Sequence, residues 1–222
     1  MADAAETERK VPTHEITYFQ LRDMILCGGL APGQAVTIQG LVKELKAGMT
    51  PVREALRRLI SEGALQLHGN RRVSVPNLTP ALLDQIGFAR LTIEPKIAEL
   101  AAPRLSGPMI DQIEAIDADI NKAITEADIP GYLTGNHRFH FALYEAAGSP
   151  VLTDIAQSLW LRFGPSLRVV AARHYANHLP DRHADALAAM RSGDGRALAR
   201  AVEADISQGI DLVGQALQAG EV

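Results

Sequence analysis

Cysteine is nearly missing from this chain of 222 residues: Cys27 is the single one, so no intramolecular disulfide can form. That economy suits a reducing compartment. Aromatic residues are scarce too, at 5% with one tryptophan, while alanine and leucine are plentiful, a balance that leans toward helices. No apolar run approaches the roughly 18 residues of a membrane span. Residues 1–13 are polar and charged, without the apolar core of a secretory signal, and read as a loose arm. The expectation is a cytoplasmic protein with no membrane partner. A large charge of one sign is also lacking. The net charge of −4 excludes a generic binder of polyanions, yet its distribution is uneven. Residues 1–78 hold 10 Lys and Arg against 8 Asp and Glu, whereas 79–222 hold 12 against 18. A mildly basic front and an acidic rear fit a nucleic-acid-binding head on a body with another task.

What is present begins with the stretch from Thr50 to Ile60. Thr50 reads as an N-cap and Pro51 as the first helical residue. Val52, Ala55, Leu56, Leu59 and Ile60 recur at helical spacing, and Arg53, Arg57 and Arg58 fall off that face. Glu54 is spaced to hold Arg57 or Arg58, and Gly63 ends the helix. A helix over Ile38–Lys46, capped by Thr37, precedes it, and another over His14–Cys27 comes first, with Ile16, Phe19, Leu21, Met24 and Ile25 as its apolar contacts. After Gly63 the period becomes two. Leu65 and Leu67 alternate with polar residues, as do Val73 and Val75, with Gly69-Asn70 between them as a two-residue hairpin turn. Helix, turn, cationic helix and hairpin in that order describe a winged helix-turn-helix, which places its second helix in the major groove of DNA.

Pro76 to Pro80 reads as a stiff connection, with Thr79-Pro80 a further helix start. The expected division is an arm over 1–13, a DNA-binding domain over 14–76, a linker over 77–80 and an all-helical domain over 81–222. Helices are expected over 81–102 with a kink at Pro95, along the stripe Ile110, Ile113, Ile116, Ile120 and Ile124, and over 130–147, 150–163, 165–175, 181–191 and 195–219. Asp111, Glu114, Asp117 and Asp119 fall off the isoleucine stripe.

Within these helices Asn136 and His140 share an inward face with Leu133 and Leu143, and His183 shares one with Leu187 and Met190. Asp205 falls in the stripe Leu198, Ala201, Val202, Gly209 and Leu212, where an unpaired carboxylate would be costly. Two inward histidines are its natural partners, directly or through a cation. His137, His174 and His178 read as surface or rim residues, with Arg173 or His174 at a pocket mouth.

Pro32-Gly33, the string from Thr50 to Leu56 and Glu62-Gly63-Ala64-Leu65 resemble the DNA-binding head of GntR-type bacterial regulators. Arg90-x-x-x-Glu94-Pro95, Phe139-His140, Ala146-Ala147-Gly148-Ser149 and Gly193-Asp194 are similar to the helical effector domain of the FadR branch, the FCD domain. The resemblance implies a mainly α chain, a winged helix-turn-helix followed by an FCD-like bundle. It implies DNA contacts from Thr37, Gln39, Thr50, Arg53, Arg57, His68, Gly69, Arg71 and Arg72. The family's base-reading arginine before Thr50 is missing, with Gly48 and Met49 there, so a different operator is expected. Many FCD domains hold a divalent metal with an Asp-x-x-x-His pair and one histidine on each of two later helices. In this chain Asn136, His140, His183 and Asp205 occupy those places, with the carboxylate and one neutral ligand exchanged. Zn²⁺, Ni²⁺ or Mn²⁺ suits such a set. Arg90, oriented by Glu94, would clamp a small carboxylate.

The reading is a homodimeric regulator, a repressor on a pseudo-palindromic double-stranded operator, which senses a small organic acid through a metal. The alternatives are a small metal-dependent enzyme using His140, His183 and Asp205, and a DNA-binding dimer with no effector.

Overall fold

The computed structural model describes residues 12–176 and 180–221, with side chains over the same range except 172–176. Most of the arm therefore lies outside the described residues, as do the Arg173 and His174 side chains and His178.

Helix α1 (Thr13–Leu26) packs on α3 (Met49–Ser61), and α2 (Ile38–Leu45) packs on both. The Thr37 hydroxyl accepts the Gly40 N–H at 3.1 Å and caps α2. Thr50, however, is not the cap of α3. The helix begins at Met49, two residues before Pro51, with Gly48 in the cap position and no side-chain bond there. Pro51 still falls in the first turn, where its missing N–H leaves no bond unmade. Helix α1 also buries a different face from the one expected. Tyr18, Leu21, Ile25 and Leu26 point inward, while Ile16 and Phe19 are exposed. The choice is set by the neighbour: α3 offers Val52, Ala55, Leu56 and Leu59 to that side alone.

Among the described residues, three two-residue strands complete the head. These are β1 (Ala35–Val36), β2 (Gln66–Leu67) and β3 (Val73–Ser74), in the antiparallel order β1-β3-β2. β1, two residues long, is too short to carry a sequence period of its own. The hairpin is longer than a two-residue turn. Leu67 pairs with Val73, His68 N–H bonds to Arg72 O, and Arg71 N–H bonds to His68 O. Arg71 takes the left-handed conformation, φ 62°, that closes a three-residue loop. Leu65 is buried, but Leu67 is exposed at the wing.

Among the described residues the α-helices that follow are α4 (Pro80–Ala101), α5 (Gly107–Thr125), α6 (Ile129–Ala146), α7 (Pro150–Ala176), α8 (Arg182–Ser192) and α9 (Gly195–Gln218). Thr79 caps α4 by accepting Leu82 N–H, as its pairing with Pro80 suggested. Helix α4 packs along α9, α5 along α6, and α8 along α9. Helix α7 is one helix, not two. Pro165 removes a single N–H, and burial of Leu161, Phe163 and Ser166 around it carries the helix through. No helix among the described residues is long and apolar enough to cross a membrane.

Helix α7 also meets the head. Arg162 Nη2 donates to Glu62 O at 3.1 Å, beyond the end of α3. Arg168 Nη1 donates to Gly28 O at 2.7 Å, beyond the end of α1. Both cations serve carbonyls at the negative ends of helices. Gly164 lets the α1 backbone come close, since a Cβ there would stand 3.1 Å from Leu26 O.

Candidate functional site

Two groups of polar residues stand apart, one on the head and one inside the bundle. On the head, Thr37, Gln39, Thr50, Arg53, Arg57, His68, Gly69, Arg71 and Arg72 are all exposed. The amphipathic pattern of α3 explains part of this, for Val52, Ala55, Leu56 and Leu59 turn inward and Arg53 and Arg57 turn out. Arg58 behaves differently from the other two. Its Nε bonds to Glu62 at 3.0 Å and its guanidinium lies 3.6 Å from the centre of the Tyr18 ring. Glu62, not Glu54, is its partner. Tyr18 donates its hydroxyl to the same carboxylate at 2.9 Å, and burial together with that carboxylate pushes the hydroxyl up to about 12. Arg58 thus joins α1 to α3, whereas Arg53 and Arg57 carry charge toward solvent. At the wing, His68 Nε2 is 2.8 Å from Ser74 Oγ.

In the bundle, α6 supplies Asn136 and His140, α8 supplies His183 and α9 supplies Asp205. One ligand atom from each of His140, His183 and Asp205 lies within 4.8 Å of the others. His140 Nε2 is 3.0 Å from Asp205 Oδ2, and His183 Nε2 is 3.8 Å from Asp205 Oδ1. Burial by itself would raise the Asp205 carboxyl, but His140, His183 and Arg90 outweigh it and hold the group below the usual carboxylate range. His183 is raised: burial opposes its charged form, and Asp117 and Asp205 prevail.

These residues fit a divalent metal on a specific observation. His140 Nε2 is fully buried and has no aligned hydrogen-bond partner, although Asp205 lies beside it. A buried nitrogen 3.0 Å from a carboxylate, but poorly aligned for a hydrogen bond to it, has the placement of a second ligand to one cation. The span of the three donors is slightly wider than two metal–ligand bonds of about 2.1 Å. Asn136, the fourth expected ligand, is buried one turn before His140 and lines the same small cavity as Asp205 and Arg90. That cavity measures about 40 Å³ and is otherwise walled by Tyr132, Trp160, Phe163 and residues of α7 and α9. At 10–15 Å³ per water it has room for about three waters, the scale of a small ligand.

The expected carboxylate clamp is only half present. Arg90 reaches the cavity wall, but its Nε and Nη2 are bonded to Glu94 at 2.6 and 3.2 Å. Trp160 and Phe163 lie against the guanidinium, 4.6 and 4.7 Å from their ring centres. Glu94 is completely buried and does not line the cavity; it acts on Arg90, the residue it was expected to orient. It accepts in addition from Tyr144 Oη at 2.6 Å and Trp160 Nε1 at 2.9 Å.

Two further readings are corrected. Asp117 is buried, and its Oδ1 is 3.0 Å from His183 Nδ1. Its spacing to Ile113 and Ile120 already put it on the inward face, so a signal was there to find. His137 is half-buried and not an open surface residue. It stacks on Phe141 at 4.4 Å, its Nε2 is buried without a partner, and burial, then Arg22 and His140, pushes it down to about 4.

Comparison with known proteins bears on both groups. The FCD domain model matches residues 85–208, and the model described as bacterial regulatory proteins, gntR family, matches residues 13–75. The Escherichia coli regulator McbR is 29% identical over 147 residues, 66% of this chain and 66% of McbR, just under two thirds of its length. The E. coli repressor RspR is 24% identical over 193 residues, 86% of this chain and 84% of RspR. Among solved structures, E. coli McbR/YncC superposes with a TM-score of 0.84 at 24% identity over 92% of this chain and 98% of that one. A GntR-type regulator from Rhodococcus sp. RHA1 gives 0.73 at 21% identity over 91% and 98%.

Proposed function

We propose, from the premise that this chain belongs to the FCD-domain family and carries a GntR head, that it is a homodimeric repressor whose bundle holds a divalent metal and senses a small organic acid. The families are those of transcription regulators that bind DNA, so the metal-dependent enzyme is set aside. The functional division falls at 77–80, between a head that meets DNA and a bundle that senses.

For the head, the supporting observation is the exposure of Arg53 and Arg57 on a helix whose apolar face is fully used. Arg53 reads bases in the major groove. Thr37, Gln39, Thr50, Arg57, Arg71 and Arg72 contact phosphates, and His68-Gly69 approaches the minor groove. Two heads on a pseudo-palindrome require a dimer. The apolar surface that Phe88 leaves bare on α4, 76% exposed, favours one.

For the bundle, the observation that carries the reading is the convergence of His140, His183 and Asp205 beside a small cavity bordered by Arg90. A metal held there supplies open coordination positions for a carboxylate. Arg90, with two of its N–H groups committed to Glu94, retains donors on Nη1 for the same ligand. Helix α7 links the two halves, since Trp160, Phe163 and Leu167 wall the cavity while Arg162 and Arg168 grip the head. A ligand that favours one position of α7 shifts DNA affinity by its differential affinity for the two states.

The test is elemental analysis of the purified chain, followed by melting curves with Zn²⁺, Ni²⁺ or Mn²⁺ and a panel of hydroxy- and dicarboxylic acids, and DNA mobility shifts. One metal per chain, lost in His140→Ala, with acids that raise the melting temperature only in the loaded protein and release DNA, is the expected result. DNA binding with no response to metal or acid would favour the effector-free dimer.

A further inference from the structure

Both site imidazoles present the same nitrogen to Asp205, and the reason lies one layer further out. We infer that Tyr144 and Asp117 are positioning residues: each holds a proton on Nδ1 of its histidine, which keeps Nε2 of His140 and of His183 as the metal-facing atoms. The inference rests on reading the His140, His183 and Asp205 cluster as a metal site.

The proton assignment follows from which groups can only donate. Arg90 and Trp160 have no acceptor, so the Glu94 carboxylate accepts from both. Tyr144 Oη lies 2.6 Å from the same Glu94 oxygen as Trp160 Nε1 and spends its only proton there. The phenol oxygen then has only lone pairs to offer His140 Nδ1, 3.1 Å away. Nδ1 must therefore bring the proton. Asp117 imposes the same state on His183. Its Oδ1 is 3.0 Å from Nδ1, while Asn121 Nδ2 donates to its other oxygen at 3.1 Å. On each ring the Nδ1 proton has an acceptor, Tyr144 Oη for His140 and Asp117 Oδ1 for His183, so a neutral ring that keeps this bond presents a bare Nε2.

The arrangement matters because of what it prevents. An Nε2–H on His140 would lie 3.0 Å from Asp205 Oδ2 and could turn into a plain hydrogen bond that closes the site. With Nδ1 protonated, a neutral His140 sets a lone pair beside the carboxylate, and a cation between them relieves both. Metal-ligating histidines generally have such an outer partner, and its loss lowers metal affinity by 10–100-fold.

The test uses the full chain labelled with ¹⁵N-histidine, stripped of metal with chelator. Long-range ¹H–¹⁵N NMR reads the tautomers, His140→Gln and His183→Gln assign the rings, and competition with a chromophoric chelator reads Zn²⁺ affinity. The wild type is expected to show Nδ1–H on both rings. Tyr144→Phe moves His140 toward Nε2–H, leaves His183 unchanged and weakens Zn²⁺ binding by about 10–100-fold. Asp117→Leu does the same to His183 alone, and Asp117→Asn, which keeps an acceptor oxygen, restores both readouts. A neutral Nε2–H ring at His140 or His183 in the wild type overturns the inference, as does a Tyr144→Phe protein with unchanged tautomer and affinity. A wild type that shows both Nδ1–H rings yet takes up no Zn²⁺ sinks the metal reading and leaves the positioning role standing. If a variant does not fold, the wild-type tautomers decide alone.

Discussion

Arg53 and Arg90 show how differently the two halves use charge. Arg53 stands on a short helix with its apolar face spent on the head's core, and its guanidinium is exposed. Arg90 is 3% exposed on the inward face of α4, and a fully buried carboxylate, an indole and a phenyl ring enclose it. The head keeps its cations for a partner outside the chain. The bundle buries a few charges, Arg90, Glu94 and Asp117, each with a partner, and Arg90 and Asp205 border a small cavity. A site for a polymer is built by withholding partners over a surface, and a site for a small ligand by withholding them at a single point in the interior.

The sharpest way to break this contrast is to remove the internal partner. Glu94→Ala strands the Arg90 charge and should cost about 3–5 kcal/mol in chemical denaturation, the range for an orphaned buried ion. A change below 1 kcal/mol would mean that water reaches Arg90 and that the two arginines differ little. Next in size is a pH effect. His137 is pushed down to about 4 from an ordinary 6.5. The unfolded chain therefore binds a proton that the fold refuses. Stability from this ring is complete above pH 6.5 and falls as pH drops toward 4, by at most about 3 kcal/mol. His137→Phe should flatten that limb of the stability–pH curve, and an unchanged slope would assign it to other groups.

The head should respond in binding but not in folding. Arg53→Ala is expected to cost about 1–3 kcal/mol in operator affinity and to relax specificity, with an unaltered melting temperature. Arg57→Ala should weaken operator and random DNA alike and lower the salt slope by about 1. Arg58→Ala should do the reverse of Arg53→Ala, lowering stability through lost contact with Tyr18 and Glu62 and leaving sequence preference unchanged. The smallest expected effect is at the seam. Removing Arg162 and Arg168 together should alter operator affinity by less than about 1 kcal/mol at any one ligand level. It should nevertheless narrow the gap between liganded and free protein in a mobility-shift titration. An unchanged gap would move the coupling to α4.

Much of the head was legible because it is made of local signals. Thr37 and Thr79 cap the helices they precede, and Gly63, at φ 74°, follows the end of α3. The errors there are errors of one neighbour. Leu67 and Phe19 have the pattern of buried residues, but they stay exposed, at 56% and 42%. Thr50 has the chemistry of a cap, but the helix takes one more residue before it. In the bundle, inward positions were readable for His140, His183 and Asp205. Asp117 was misplaced because a carboxylate on an apolar face is ordinarily taken as out of register, and only the His183 ring across from it accounts for its burial.

From its residue order alone, this chain specified which segments are helical, where the cationic face lies and which polar groups turn inward, because each depends on spacing along one element. Contacts between elements required the folded chain. That Glu94 serves Arg90, Tyr144 and Trp160 at once, that Tyr144 meets His140, and that α7 runs unbroken past Pro165 all depend on side chains far apart in sequence. Periodicity reports the direction in which a residue points, and only packing in three dimensions decides what it meets there.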